Sequence, residues 1–395
     1  MLLASLLVPI AVVAIVLLVQ RLHLPAFLAI MATAVVYGIA ADMQFQSIGD
    51  SFGLGFASTI EQVGLLVVAG SLVSALALRQ PLGTGSAAVA GALAGMGVSA
   101  PGALALLQPA GQEAPRRALG MALTLLAVAA FVAPAPHAAA SANVLKVGLG
   151  TMAMAGIPLA LVAAAVGWWH VVRQVPSGDA PGQLGWAWLA VAIPIAGLVG
   201  QSFAHMPNAP FGMAARDFFS GLSRPLALAV VAITLGVLFA GRWQPSALIG
   251  RSWAPLMLTV GAAGGLSHVI DETGVAPLVA ETVLHPRYGI LTPFLAAAVV
   301  KTMQGGSLTA VLTATGMVEP MLPALGLDSA SGRVFAALSA GAGSIAVCHV
   351  NDPFFWIAAS IARLSPGRAL LVVSLGSAAM ALAALVVLAA ARQFF

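Results

Sequence analysis

Charge is what this sequence has least of. Lys, Arg, Asp and Glu make up 7% of its 395 residues, where a soluble domain carries about 25%. So few charges cannot cover a globular surface. With 61% hydrophobic residues and a mean hydropathy of +1.03, the chain reads as an all-α polytopic membrane protein. Its length leaves room for about ten to twelve spans of roughly 20 residues. Cysteine is nearly missing: the single Cys348 excludes an intramolecular disulfide and any CxxC metal or redox site. Met1–Gln20 has no basic leader region, and its apolar run is long enough to be kept as a span.

Enzyme signatures are missing as well. No HExxH, GxSxG or Walker motif occurs. GxGxxA strings at Gly83, Gly148 and Gly341 lie in Gly/Ala-rich spans with no βαβ context. An intramembrane enzyme would use Cys348, His349 and Asp352, or the serines, yet sequence neighbours such as Cys348 and His349 on a helix point in different directions. A channel would be expected to show a repeated pore-lining helix or a charge ring, and neither is visible. The histidines at 23, 137, 170, 205, 268, 285 and 349 are too scattered for a metal site. No cofactor is implied. Without a nucleotide motif, active transport must run on an ion gradient unless another subunit supplies ATP.

Along the chain, Leu2–Gln20 and Ala26–Ala41 read as two spans joined at Arg21. The next loop carries Asp42 and Asp50 and no basic residue, so Arg21 places the first loop in the cytoplasm and the N-terminus outside. Glu61, before the span Val63–Leu78, is either a helix cap or an intramembrane carboxylate. Gly83–Ala110, with Pro101-Gly102 in its middle, predicts a re-entrant hairpin or a kinked span. Arg116 and Arg117 follow on the cytoplasmic side. Pro134, Pro136 and the small residues of 133–143 predict an interrupted helix. Trp168, Trp169 and Arg173 close the span Gly150–His170 like an interfacial anchor. The polar linker Gln174–Gly185 is expected inside, Ala204–Asp217 in an outer loop, and Arg242 and Arg251 inside again. Val63–Gly83 and Ala254–Gly274 superpose without a gap, matching Gly70 to Gly261 and Gly83 to Gly274. That match predicts two inverted repeats, 1–221 and 222–395, with the site at their interface.

Two stretches concentrate the polar groups. Ala340–Trp356 places His349, Asn351 and Asp352 between apolar runs, with Pro353 disfavouring helix at Asp352. A helix broken near 341–353 is tolerable at membrane depth only where it is buried in protein or lines a cavity. The other reading is a boundary at which Asn351 and Asp352 cap the next helix. Lys301–Thr309 brings a cation, Gln304, Gly305-Gly306, Ser307 and Thr309 into an apolar setting. Unwound glycines followed by a half-helix N-terminus suit a carboxylate. Lys301 either adds charge there or snorkels to the interface, and the two glycines either unwind or pack helices closely. His268 and Asp271 form either a second polar contact or a helix-end patch.

Residues 301–316 resemble the Arg-x-Ala-Gln-Gly-Ser-Ala-Thr-Val-Ala motif of the gluconate permease family of proton symporters. Residues 341–356 resemble its Gly-Ala-Gly-Ser-x-x-x-Ser-His-x-Asn-Asp-x-x-Phe-Trp motif. Gly53–Ile60, the Pro134–Pro136 region and Gly261–Gly274 are similar to further segments, in order along the chain. Lys301 stands where the family usually has Arg, Gly306 and Cys348 where it has Ser. An Arg fork grips a carboxylate bidentately whereas Lys is a point charge, so the change bears on which acid is carried. The resemblance implies symport of a small organic acid anion with a proton across the inner membrane. Lys301, Gln304, Gly305, Gly306, Ser307 and Thr309 would hold the carboxylate, Asn351, Pro134, Pro136 and His137 would contact hydroxyls, and His349 or Asp352 would carry the proton. The lipid bilayer is the expected surrounding, no nucleic acid is expected, and a homo-oligomer stays open.

Overall fold

The computed structural model describes residues 2–76, 82–97, 99–108, 114–176, 188–204, 212–222, 224–240, 253–275, 279, 281 and 284–394. Among these the protein is all helix, with no strand. The first pair, α1 (Leu2–Gln20) and α2 (Ala26–Ala40), falls where the apolar runs place it. Next, α3 (Phe45–Thr59) passes through a π-helical turn, Ile60–Gly64, into α4 (Leu65–Leu76) without interruption. Glu61 therefore caps no span; it is an exposed carboxylate inside a continuous helix.

The Gly/Ala-rich stretch forms α5 (Thr84–Gly95) and α6 (Ala100–Leu106). The break precedes Pro101-Gly102 rather than falling on it, because Pro fits the first turn of a helix. Ser99 caps that turn, accepting from the Gly102 N–H at 3.2 Å. Helices α7 (Pro115–Phe131) and α8 (Pro136–Val144) flank an interruption of only Val132–Ala135, narrower than the expected 133–143. There follow α9 (Leu149–Gln174), α10 (Leu189–Ala204), α11 (Gly212–Leu222) and α12 (Pro225–Ala240). Helix α11 begins inside the stretch expected as a plain outer loop. Most of the expected polar linker, His205, Arg79-Gln80, Arg242 and Arg251 lie outside the described residues.

From residue 253 on, the chain forms α13 (Trp253–Glu272), α14 (Leu291–Gln304), α15 (Ser307–Val318) and α16 (Ala330–Gly343). It closes with α17 (Pro353–Ile361), then α18 (Pro366–Ala369), which a π-helical turn joins to α19 (Leu375–Ala391). Helix starts recur at equal intervals. Thr84 and Ala100 open α5 and α6 as Leu291 and Ser307 open α14 and α15. Pro136 and Leu149 open α8 and α9 as Pro353 and Pro366 open α17 and α18. The two connecting turns each carry a basic residue at positive φ, Lys146 (57°) and Arg363 (53°). The register Val63–Gly83 on Ala254–Gly274 is not this one: Val63 sits in a π turn, whereas Ala254 lies at a helix start.

By length and composition, six helical stretches among the described residues can cross a membrane: Phe45–Val73, Pro115–Val144, Leu149–Gln174, Trp253–Glu272, Ser307–Leu325 and Pro366–Ala391. Leu7–Gln20, Ala26–Ala40 and Leu189–Ala204 are shorter apolar helices. The outward faces carry Val13, Val36, Leu54, Leu161, Leu238 and Val386, as lipid contact requires. Pro115–Val144 is different: its apolar stretch lies inside the protein, and only near its end does Asn143 come to the surface. Small residues permit this: a Cβ at Gly95 of α5 would stand 2.5 Å from the Leu125 carbonyl oxygen, and one at Gly341 of α16 would stand 2.7 Å from that of Ala130. On α9, Trp168 turns inward to donate to Thr124 Oγ1 at 2.8 Å. Only Trp169, under the Arg173 guanidinium at 4.1 Å, is left to act as an interfacial anchor.

Candidate functional site

The two polar stretches meet. Helix α14 stops at Gln304 because Gly305 takes φ 80°, a left-handed conformation that favours glycine. Its last carbonyls point into the protein, where each unpaired one would be costly. All are answered. Lys301 O accepts from the Gly305 N–H at 2.8 Å. Thr302 O accepts from His349 Nε2 at 2.7 Å and from Asn351 Nδ2 at 3.3 Å. Met303 O accepts from Asn351 Nδ2 at 2.8 Å, and Gln304 O from Ser267 Oγ. His349 and Asn351 thus cap one broken helix from the other. Because a carbonyl can only accept, His349 donates through Nε2, which leaves its buried Nδ1 without a partner.

Lys301 is fully buried. Its Nζ donates to Asp352 Oδ2 at 2.5 Å and to the Gly305 carbonyl. It does not snorkel. Asp352 also caps α17, Oδ1 accepting from the Phe354 N–H at 2.8 Å. Gln304 donates through Nε2 to Asp271, so the patch at the end of α13 does touch the break. Trp356 Nε1 donates to Val350 O at 2.7 Å, and Cys348 N–H to Ser377 Oγ at 3.1 Å, tying the 344–352 segment down.

In front of this clamp lies a cavity of about 360 Å³. Its wall is drawn from both halves: Thr59 and Gln62 at the π turn, Ser99 to Pro101 at the start of α6, Leu126 of α7 and His137 of α8. The second half gives Gly306–Thr309 and Asp352–Phe354. Helices α6, α8, α15 and α17 therefore all begin at this space. Ser99 and Asp352 cap two of them, whereas α8 and α15 have no side-chain cap. Their free N–H groups and positive dipole ends suit an anion. His137 is buried, with Nδ1 unpartnered.

Of the residues singled out in the sequence, Gly306, Ser307, Thr309, His137 and Asp352 line the cavity. Lys301, Gln304, Gly305, His349 and Asn351 stand behind it and hold the breaks together. Pro134 and Pro136 are not in its wall; they shape the entrance to α8. Thr59, Gln62 and Ser99, by contrast, are in the wall; their signals in the sequence are the polar group around Glu61 and a Ser just before Pro101-Gly102. Among the described residues no three His, Cys, Asp or Glu side chains converge as a metal site.

Residues 2–92 and 101–393 match the profile of the GntP family permease. The low-affinity gluconate transporter of Escherichia coli K12 is 24% identical over 390 residues, covering 86% of this chain and 87% of that one. The gluconate permease of Pseudomonas aeruginosa is 23% identical, with 88% of each chain covered. The Gnt-II system L-idonate transporter of Escherichia coli K12 is 23% identical, covering 87% of this chain and 89% of its own.

Proposed function

The chain belongs to the GntP permease family, and from that premise we propose that it imports a small sugar or hydroxy acid anion together with a proton. The membrane would be the bacterial inner membrane, and gluconate is the first substrate to try, after the names of the relatives. The observation that carries this reading is the uncapped start of α15 facing the same cavity as Asp352, whose partner Lys301 lies behind the wall.

The substrate carboxylate sits on the N–H groups and hydroxyls of Ser307 and Thr309, next to Gly306. His137, Thr59, Gln62 and Ser99 face its hydroxyls. Asp352 carries the proton and Lys301 is its fixed counter-ion. His349, Asn351, Gln304 and Gly305 hold the breaks in place, and Pro134 and Pro136 set the start of α8. The charge count favours proton coupling. With Lys301 and Asp352 both ionised, the empty site is neutral. An anion alone would leave a net buried charge, which is expensive at membrane depth. An anion plus a proton on Asp352 is neutral again. The halves 1–221 and 222–395, related by inversion, would rock about this site; the equal helix spacing supports that.

The test is uptake of labelled gluconate into proteoliposomes, with and without an inward pH gradient, in wild type and Asp352→Asn. Gradient-driven uptake that the variant loses is the expected outcome. Uptake indifferent to both pH and Asp352 would overturn the coupling role. A wild type that ignores gluconate would shift the substrate to another small carboxylate, sought in a panel of hydroxy and amino acids.

A further inference from the structure

A second polar pocket, of about 250 Å³, lies beside the cavity. Gln62 and Ser99 line both spaces, so these two side chains are the partition between them. On its far wall stands Arg224, with Gln201 nearby. Helix α12 runs beside α4 in the same direction. Pro225 shares this pocket with Leu66, and further on a Cβ at Gly236 would stand 3.1 Å from Val73 Cγ2. Arg224, just before Pro225, is therefore level with Gln62 and Leu66, inside the Phe45–Val73 span rather than at either of its ends. A guanidinium is always charged, and an ionisable side chain at that depth marks an ion or substrate path by default. Arg224 is exposed, and no carboxylate among the described residues pairs with it. The one carboxylate lining the main cavity, Asp352, is already held by Lys301.

We propose that Arg224 and Gln62 form an antechamber station for a small carboxylate, which then passes between Gln62 and Ser99 to the start of α15. The proposal rests on the reading of the cavity as a carboxylate site. A carboxylate leaving water needs a compensating donor at each stop, and Arg224 supplies the first as the α15 N-terminus supplies the second. Substrate would be gathered at the station, so its loss appears mainly as weaker apparent affinity.

Two measurements test it. In proteoliposomes, Arg224→Gln should raise the KM for gluconate about tenfold, the low end of electrostatic focusing, with Vmax falling less. Arg224→Lys should recover most of that loss. The second readout needs no transport. In a Cys348→Ser background, Gln201→Cys is labelled with a sulfonated, anionic methanethiosulfonate and with a cationic one. The anionic reagent should be favoured about tenfold, falling toward parity when Arg224→Gln is added. A preference that does not depend on Arg224, or a KM unchanged in Arg224→Gln, overturns the station. If the labelling preference follows Arg224 while the wild type takes up no gluconate, the substrate assignment fails and the station stands.

Discussion

Lys301 and Asp352 are each other's charged partner, both buried, and only Asp352 reaches the cavity wall. Breaking such a pair from one side strands a buried charge, typically at about 3–5 kcal/mol, whereas replacing both partners can be nearly neutral. Lys301→Met should therefore lower the melting temperature in detergent strongly and abolish uptake. Lys301→Met with Asp352→Asn should regain most of the thermal stability and still not transport. If the double variant melts as low as the single one, the pair is not what holds the site. His349 differs in kind. Its Nε2 donates to the Thr302 carbonyl and it does not line the cavity, which favours Asp352 over His349 as the proton carrier.

Broken helices are the working elements, and each break has its own cause. At Gly305 the cause is a left-handed residue; at Val132–Ala135 and before Pro353 it is proline at a helix start. An alanine at Gly305 would hold an L-residue at φ 80° and set a Cβ 3.0 Å from Asn351 Cγ. The conformation alone costs about 1–2 kcal/mol. Gly305→Ala should cut uptake at least tenfold while the protein still elutes as a folded species on size exclusion. Normal uptake would mean that the α14–α15 break can move without consequence. A close seam also joins α3 to α13, where a Cβ at Gly55 would stand 2.5 Å from the Gly264 carbonyl oxygen.

For the whole molecule, a site that is neutral both empty and loaded predicts electroneutral transport of a monovalent acid with one proton. In proteoliposomes at equal pH, a potassium diffusion potential should drive no accumulation of gluconate, whereas a pH gradient should. Accumulation driven by the potential alone would mean that net charge crosses, through more than one proton or through another ion. The cavity's wall comes from both halves, so neither half can form it alone.

How much of this was legible in the sequence follows from what is local. The scarcity of charge fixed the membrane class, because surface composition is a property of the whole chain. The Gly305-Gly306 and Asp352-Pro353 breaks could be located because φ preferences belong to single residues. The sequence leaves Glu61 between two readings because a π turn inside a long helix leaves no local mark, and it groups Trp168 with the anchor because the inward partner, Thr124, is distant in sequence. The sequence could gather Lys301 and Asp352 as candidates but not pair them, nor place Lys301 behind the cavity and Thr59, Gln62 and Ser99 around it. Those relations span 51 residues for the ion pair, and more between the cavity walls. Only tertiary packing, set by which small residues let helices approach, decides what lies opposite what.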